Sequence, residues 1–252
     1  MIPKSLSLLS LAGAMAFALA ATTAGAQTVR LHGGTGPAKA LLARQVALEK
    51  QAGVSVEIVG NGAGHGLADL AKGEADIALL AGPLEGVAAD INLDQPGVVS
   101  TAGLVVTPAN SAPAIFCTHP GVGLKSIGDA QLRDVLSGKI TNWKDVGGPD
   151  LPIKLVLATR GDGARVTFQT QFLQGAPYLA TAIVRATGKD VTAIVAKLPG
   201  ACAVVGKYNL TGEVASVSLE SPCVITWALV TKGIPAGDIK KVVEAATPML
   251  KP

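Results

Sequence analysis

KSIGDAQLRDVLSGKITNWKDVGGPDLPIKLVLATRGDGARVTF, residues 125–168, decides the fold. Ser126 is a plausible N-cap, and Leu132, Val135 and Leu136 follow it at helical spacing. Gly138 stops that helix, and Asn142-Trp143 with Gly147-Gly148-Pro149 make a long turn. Ile153 to Leu157 reads as a buried strand that ends in Arg160-Gly161-Asp162-Gly163, and a second helix follows around Thr167 to Leu173. A strand that runs through a Gly-rich turn into a helix N-terminus aims free backbone N–H groups and the helix dipole at one spot, which suits an anion. Such turns also occur without ligands, so the geometry alone leaves both readings open.

The run SGKITNWKDVGG (137–148) followed by LPIKLVLATRGDGARVTF (151–168) resembles the second-domain signature of the periplasmic phosphate-binding proteins of ABC transporters. That family writes SGKITNWxxVGG, then a strand, then R-x-D-G-S-G-T-x-x-F. Outward from this stretch the order of motifs is similar too. Gly34-Thr35-Gly36-Pro37-Ala38 matches G-T-x-P-A, Gly60 to Gly66 matches G-x-G-S-G-x-G with Ala63 in place of Ser, and Gly73 to Ile77 matches G-x-x-D-I. Near the end, Pro199 to Gly206 resembles the strand written PGAIGYV.

The residues themselves carry the same architecture. Thr28 to His32 is a strand, Gly33 to Pro37 its turn, and a helix runs from Pro37 to about Gln51. Val54 to Val59 is the next strand, Gly60 to Gly66 its turn, and Leu67 to Lys72 a short helix into the strand Ile77 to Leu80. This βαβαβ order implies right-handed crossovers and a parallel sheet, with ligands at the C-terminal ends of the strands. Gly103 to Thr107 and Ala112 to Cys117 read as strands crossing between two halves. Val214 to Leu219 and Ile225 to Thr231 read as further strands, and Pro235 to Met249 as a closing amphipathic helix.

Fold class is therefore α/β. The resemblance implies a two-lobed periplasmic-binding-protein fold of type II, each lobe a mostly parallel sheet flanked by helices, with the ligand cleft between lobes. Residues 27–110 plus 210–252 would form lobe 1 and residues 111–209 lobe 2, closing about a hinge.

Residues 1–26 read as a secretory signal: Lys4 is the basic start, Leu6 to Ala21 the apolar run, and Ala24-Gly25-Ala26 the cleavage site. No Cys lies near the cut, so a soluble periplasmic or secreted product without a lipid anchor and without membrane insertion is expected. The chain has a formal net charge of +3 and only 3% aromatic residues, with no Lys/Arg cluster, which argues against nucleic acid as a partner. Cys117, Cys202 and Cys223 are the three cysteines. Cys202 and Cys223 fall on what read as neighbouring strands, which favours a disulfide between them; three buried small side chains are the alternative. CxxC and Cys/His spacings are absent, so no metal site and no cofactor are expected.

The resemblance also assigns the cleft. Ligand-contacting positions would be Gly34, Thr35 and Gly36 of the first turn, Ala63 and Gly64 of the second, and Arg160, Gly163, Ala164 and Arg165 of the third. Thr35 and Arg160 keep the family's residues, whereas Ala63, Ala81, Ala164 and Val166 replace hydrogen-bonding ones. Four such losses come to roughly 4–8 kcal/mol, about three to six decades in affinity. With the carboxylate absent at Ala81, a carboxylate or sulfonate ligand is as acceptable as phosphate. Arg160 reads either as a ligand contact or as an ion-pair partner of Asp162, and Arg165 as solvent-facing or as a ligand group. His32 and His65 approach the cleft rim, where a shared metal or ligand contact competes with ordinary hydrogen-bonded histidines. No catalytic signature such as G-x-S-x-G or H-E-x-x-H appears, so no enzyme is expected. The function implied is a monomeric solute-binding protein that carries a small anion to an ABC permease. The alternative is a secreted or sensory binding module with a degenerate cleft.

Overall fold

The computed structural model of the chain describes residues 28–250, so the secretory segment expected at residues 1–26 lies outside the described residues. The first half alternates strand and helix: β1 (Val29–Gly33), α1 (Thr35–Leu42), α2 (Gln45–Ala52), β2 (Val56–Val59), α3 (Ala63–Lys72), β3 (Ile77–Ala81) and α4 (Leu84–Asp94). A long strand, β4 (Leu104–Thr118), leads to β5 (Ser126–Ile127), α5 (Asp129–Ser137), β6 (Lys154–Ala158) and α6 (Gly163–Phe172). Then come β7 (Ile183–Arg185), α7 (Gly188–Val195), β8 (Ala201–Gly206), β9 (Ala215–Leu219), β10 (Cys223–Lys232) and α8 (Gly237–Met249).

The main sheet runs in the order β2-β1-β3-β10-β4-β8-β6-β7. Its two wings are parallel: β1 pairs with β2 and β3, and β6 with β7 and β8. Its centre is antiparallel, because β10 runs against both β3 and β4, and β4 against β8. Parallel pairs need crossover helices, which cover the wings on both faces. β3, IALLA, is accordingly buried at every position.

The two crossing segments expected before Thr118 are one strand. β4 pairs with β10 from Leu104 opposite Lys232 to Ala114 opposite Cys223, and its register slips where Trp227 faces Asn110 but Ala228 faces Pro108. A bulge at Ala109 thus absorbs the Pro- and Asn-containing stretch that separates the two expected strands. β9 pairs with β5 and with the Phe116–Thr118 end of β4, so the chain returns to the first wing only with β10.

Two local expectations change for physical reasons. Ser126 is not an N-cap, because it belongs to β5 and pairs with Ser218 of β9; Gly128 caps α5, and the Asp129 amide donates to Glu220 Oε2 at 2.9 Å. The helix expected from Pro37 to Gln51 breaks at Ala43–Arg44, and the Arg44 guanidinium donates to the Met249 carbonyl at the end of α8. α4, β7 and α7, unassigned in the sequence, fill the connections between strands.

The Thr141-Asn142-Trp143 part of the signature builds the fold. Trp143 is fully buried, donates its indole N–H to the Gly200 carbonyl at 2.9 Å, and lies 6.4 Å between ring centres from Phe116. Asn142 Oδ1 accepts from the amides of Lys144 and Leu151, at 3.0 and 3.1 Å. The turn is therefore clipped by one side chain and anchored by the next.

The expected bridge between Cys202 and Cys223 is not formed; Cys117, Cys202 and Cys223 are all free and buried. β4 lies between β8 and β10. Two strands apart is roughly 9–10 Å, beyond the ~7 Å Cα separation that a disulfide spans. Burial pushes the Cys117 and Cys223 thiols up to about 12 and Cys202 higher still. Denaturation without reductant should therefore yield all three thiols in a titration, and the native protein should yield none on the same timescale. A single reactive thiol after denaturation would restore the bridge.

Candidate ligand cleft

Three turns meet where the two parallel wings face each other. α1 opens after Gly34 at the end of β1, α3 opens after Gly62 beyond β2, and α6 opens after Asp162 beyond β6. Backbone groups stitch the turns together. Gly34 N–H donates to the Leu79 carbonyl at 2.7 Å, Gly62 N–H to Gly33 at 2.8 Å, and Gly64 N–H to Gly161 at 3.0 Å. The last of these joins the second turn directly to the third. A Cβ on Gly64 would lie 2.8 Å from Gly161 Cα, and one on Gly161, whose φ is +75°, would lie 2.7 Å from Gly64 Cα. Only glycine allows this approach.

What remains between the turns is a cavity of about 10 Å³, lined by Thr35, Asn61, His65, Thr159, Arg160 and Asp162 among others. That is room for about one water. Of the residues assigned to ligand from the sequence, Thr35 and Arg160 line it. Gly36 packs instead under Tyr208 and Trp227, and Gly163 lies against the Ala81 carbonyl. Ala63, Ala81, Ala164 and Val166 are buried to 3% exposure or less, and a Cβ on Gly86 would meet Val166 at 2.9 Å. These four positions are apolar packing in the structure.

Charge is arranged around Asp90, a residue of α4 that is only 5% exposed. Arg160 Nη1 donates to Asp90 Oδ1 at 2.9 Å, and the Gly161 amide donates to Oδ2 at 2.8 Å. Arg165 Nε stands 3.6 Å from the same Oδ2, and Arg160 Nε stands 3.0 Å from Asp94 Oδ1. An internal carboxylate thus takes the guanidinium and turn amide that would grip an anion. The ion pair considered between Arg160 and Asp162 does not form. Asp162 caps α6 instead, accepting from the Arg165 amide at 3.1 Å. Desolvation raises its carboxyl above the ordinary range, opposed by the Arg165 and Ala164 amides.

Arg165 is not solvent-facing. It is 8% exposed, donates Nη1–H to the Ala158 carbonyl at 2.9 Å, and lies 5.7 Å from the centre of the Tyr178 ring. The Tyr178 hydroxyl donates to the Arg165 carbonyl at 2.7 Å, which fixes the helix start from behind. The two histidines part company. His32 Nδ1 pairs with Asp69 Oδ2 at 2.8 Å, where Asn61 Nδ2 also donates at 2.8 Å, while His65 lines the cavity. Among the described residues no group of three or more His, Cys, Asp or Glu is placed to hold a metal.

Asp90 and Asp94 are the residues that sequence reading missed. Their signal is faint: in LEGVAADINLD, Asp90 falls on the same helical face as buried Val87 and Ile91. A charge on an apolar stripe calls for a buried partner, but nothing local says that the partner is 70 residues away.

Parallel wings joined by a pair of long antiparallel strands, with strand-end turns of both wings meeting in one cleft, define a two-lobed binding-protein fold. The chain belongs to the PBP superfamily: residues 20–242 match the family model described as a PBP superfamily domain. It is 30% identical over 185 residues to the phosphate-binding protein PstS of Bacillus subtilis, covering 71% of this chain. The chain spans 57% of that relative's length. Among solved structures it resembles a protein assigned as a phosphate ABC transporter substrate-binding protein from Clostridium perfringens, solved with bound phosphate. The TM-score is 0.74 at 22% identity, covering 87% of this chain and 92% of that one. An ABC-type phosphate transport receptor from Vibrio cholerae gives a TM-score of 0.65 at 20% identity, with 87% and 93% covered. At these identities the two structures speak for the fold. No helix among the described residues is long and apolar enough to cross a membrane.

Proposed function

We propose that the chain is a periplasmic solute-binding protein of the phosphate-binding type, which takes a small anion in the cleft and passes it to an ABC permease. Its action is binding, as a soluble monomer, with no catalytic step. The observation that carries this reading is Arg160, a cation at the end of β6 that lines the cleft opposite Thr35 and is 33% exposed. The likeness to a named phosphate-binding protein supports it. From the cleft side an anion reaches Arg160 when the Gly64–Gly161 contact opens, so binding there is coupled to separation of the wings.

A second reading is favoured by Asp90: a secreted or sensory module that keeps the fold while an internal carboxylate holds the cleft shut. Calorimetry with orthophosphate on the exported protein separates the two. With four polar side chains replaced and Asp90 already on Arg160, the dissociation constant should be no tighter than roughly 100 μM. A low-micromolar constant would show that backbone donors and Arg160 suffice for a phosphate carrier. Absence of any heat with phosphate, sulfate and acetate would favour the second reading.

A further inference from the structure

Arg160 and Thr159 also line a second and much larger cavity, of about 420 Å³, bounded by the end of α4, the start of α6 and the segment from Gly175 to Val184. Its size is that of sites for small organic molecules, whereas the cleft holds about one water. Two features of its lining stand together. One is a pair of guanidiniums, those of Arg160 and Arg165. Arg165 is buried to 8% exposure, and its Nε makes no hydrogen bond, the nearest acceptor being Asp90 at 3.6 Å. The other is a set of apolar side chains, Pro177, Leu179, Leu93 and Val184. Leu93 and Val184 are large apolar side chains left 68% and 48% exposed at the mouth.

The ion pairs tell which charge is exchangeable. Asp90 is buried and stays on Arg160 through Nη1. Asp94, 58% exposed, meets Nε of the same guanidinium from the surface and also lines the cavity. An exposed pair of this kind contributes little, so an incoming carboxylate can take Asp94's place without leaving a buried charge uncompensated. An ammonium ligand has no such place, and a neutral one leaves the guanidiniums unused. Inorganic oxyanions lack the body that the apolar side chains would cover.

We propose that this cavity binds a small organic acid, with its carboxylate on Arg160 beside Arg165 and its hydrocarbon body against Leu179, Pro177, Leu93 and Val184. The site shares Thr159 and Arg160 with the cleft between the glycine turns, and the rest of its lining lies outside that cleft.

The test is calorimetry on the exported protein with hexanoate and benzoate as probes and hexanamide as the uncharged control. Saturable carboxylate binding is expected, with hexanamide at least about ten-fold weaker because it lacks the charge. Val184→Glu places a like charge at the mouth, and Ala180→Phe fills the cavity from an exposed lining position. Each should weaken hexanoate by about ten-fold or more while the melting temperature stays close to that of the parent. Because Arg160 borders both cavities, orthophosphate can compete for it, so the place of the acid is decided by Val184 and Ala180, which line the larger cavity and not the cleft. Failure of every carboxylate to bind below about 10 mM would overturn the proposal, as would equal binding of hexanamide or parental affinity in both variants. Displacement of hexanoate by orthophosphate together with parental affinity in Val184→Glu and Ala180→Phe would place the acid in the cleft and overturn it equally.

Discussion

Arg160→Ala should lower the melting temperature by about 6–12 °C. The variant strands Asp90, which is 5% exposed and takes its shortest side-chain contact, 2.9 Å, from Arg160. Removing one partner of a buried pair costs about 3–5 kcal/mol, and the low end applies because the Gly161 amide and Arg165 remain near Asp90. A chain of this size loses about 2–4 °C per kcal/mol. Arg160→Lys should recover part of the loss, since an ammonium restores the charge but not the planar fork that reaches Asp90 and Asp94 together. Asp94→Ala, by contrast, breaks a pair whose acidic partner is 58% exposed and should cost at most about 1 kcal/mol. Thermal unfolding of the three variants checks this. If Arg160→Ala melts like the parent while anion binding disappears, Arg160 serves the ligand alone and Asp90 is not its structural counter-charge.

Gly161→Ala should be comparably damaging, and for steric reasons. The new Cβ would sit 2.7 Å from Gly64 Cα on a backbone held at φ +75°. Left-handed backbone costs a non-glycine residue about 1–2 kcal/mol, and forcing apart well-packed groups costs about 1–3 kcal/mol more. Gly147→Ala separates the two contributions, because Gly147 has φ +87° but nothing within 4 Å of a Cβ. It should show the backbone cost alone. Hydrogen exchange adds a local readout: the Gly64 amide, protected by its bond to the Gly161 carbonyl, should exchange faster in Gly161→Ala and stay protected in Gly147→Ala. Equal exchange at Gly64 in both variants would mean that the contact between the turns does not hold the cleft shut.

The sequence disclosed whatever was written in local chemistry. β6, the turn at Arg160 and the helix after it follow from an apolar run, two glycines and a resumed periodicity. Thr35 and Arg160 emerged from motif position, and both line the cleft. What stayed hidden depends on which strands become neighbours. Cys202 and Cys223 seemed adjacent because only 21 positions separate their numbers, yet β4, more than 80 positions upstream of β8's start, slots between them. Ser126 offered a cap but was claimed by pairing with β9, a contact between segments some 90 residues apart. Arg165 looked exposed because charge on a helix usually faces water; the carbonyl of Ala158, the face of Tyr178 and the carboxylate of Asp90 together admit it to the interior.

The order of strands has a kinetic consequence. β3 is complete by residue 81, but its neighbour toward the centre is β10, which begins at residue 223. β4 waits for the same strand along most of its length. As the chain emerges from the ribosome, the middle of the sheet is therefore the last part to exist, and neither wing can be sealed to the other until almost every residue is available. Pairings of such long sequence separation are slow to form, because the closure entropy of the intervening loop comes before any reward. Until β10 arrives, β3 and β4 each keep an unpaired edge, and its arrival closes both edges and joins the wings in one step.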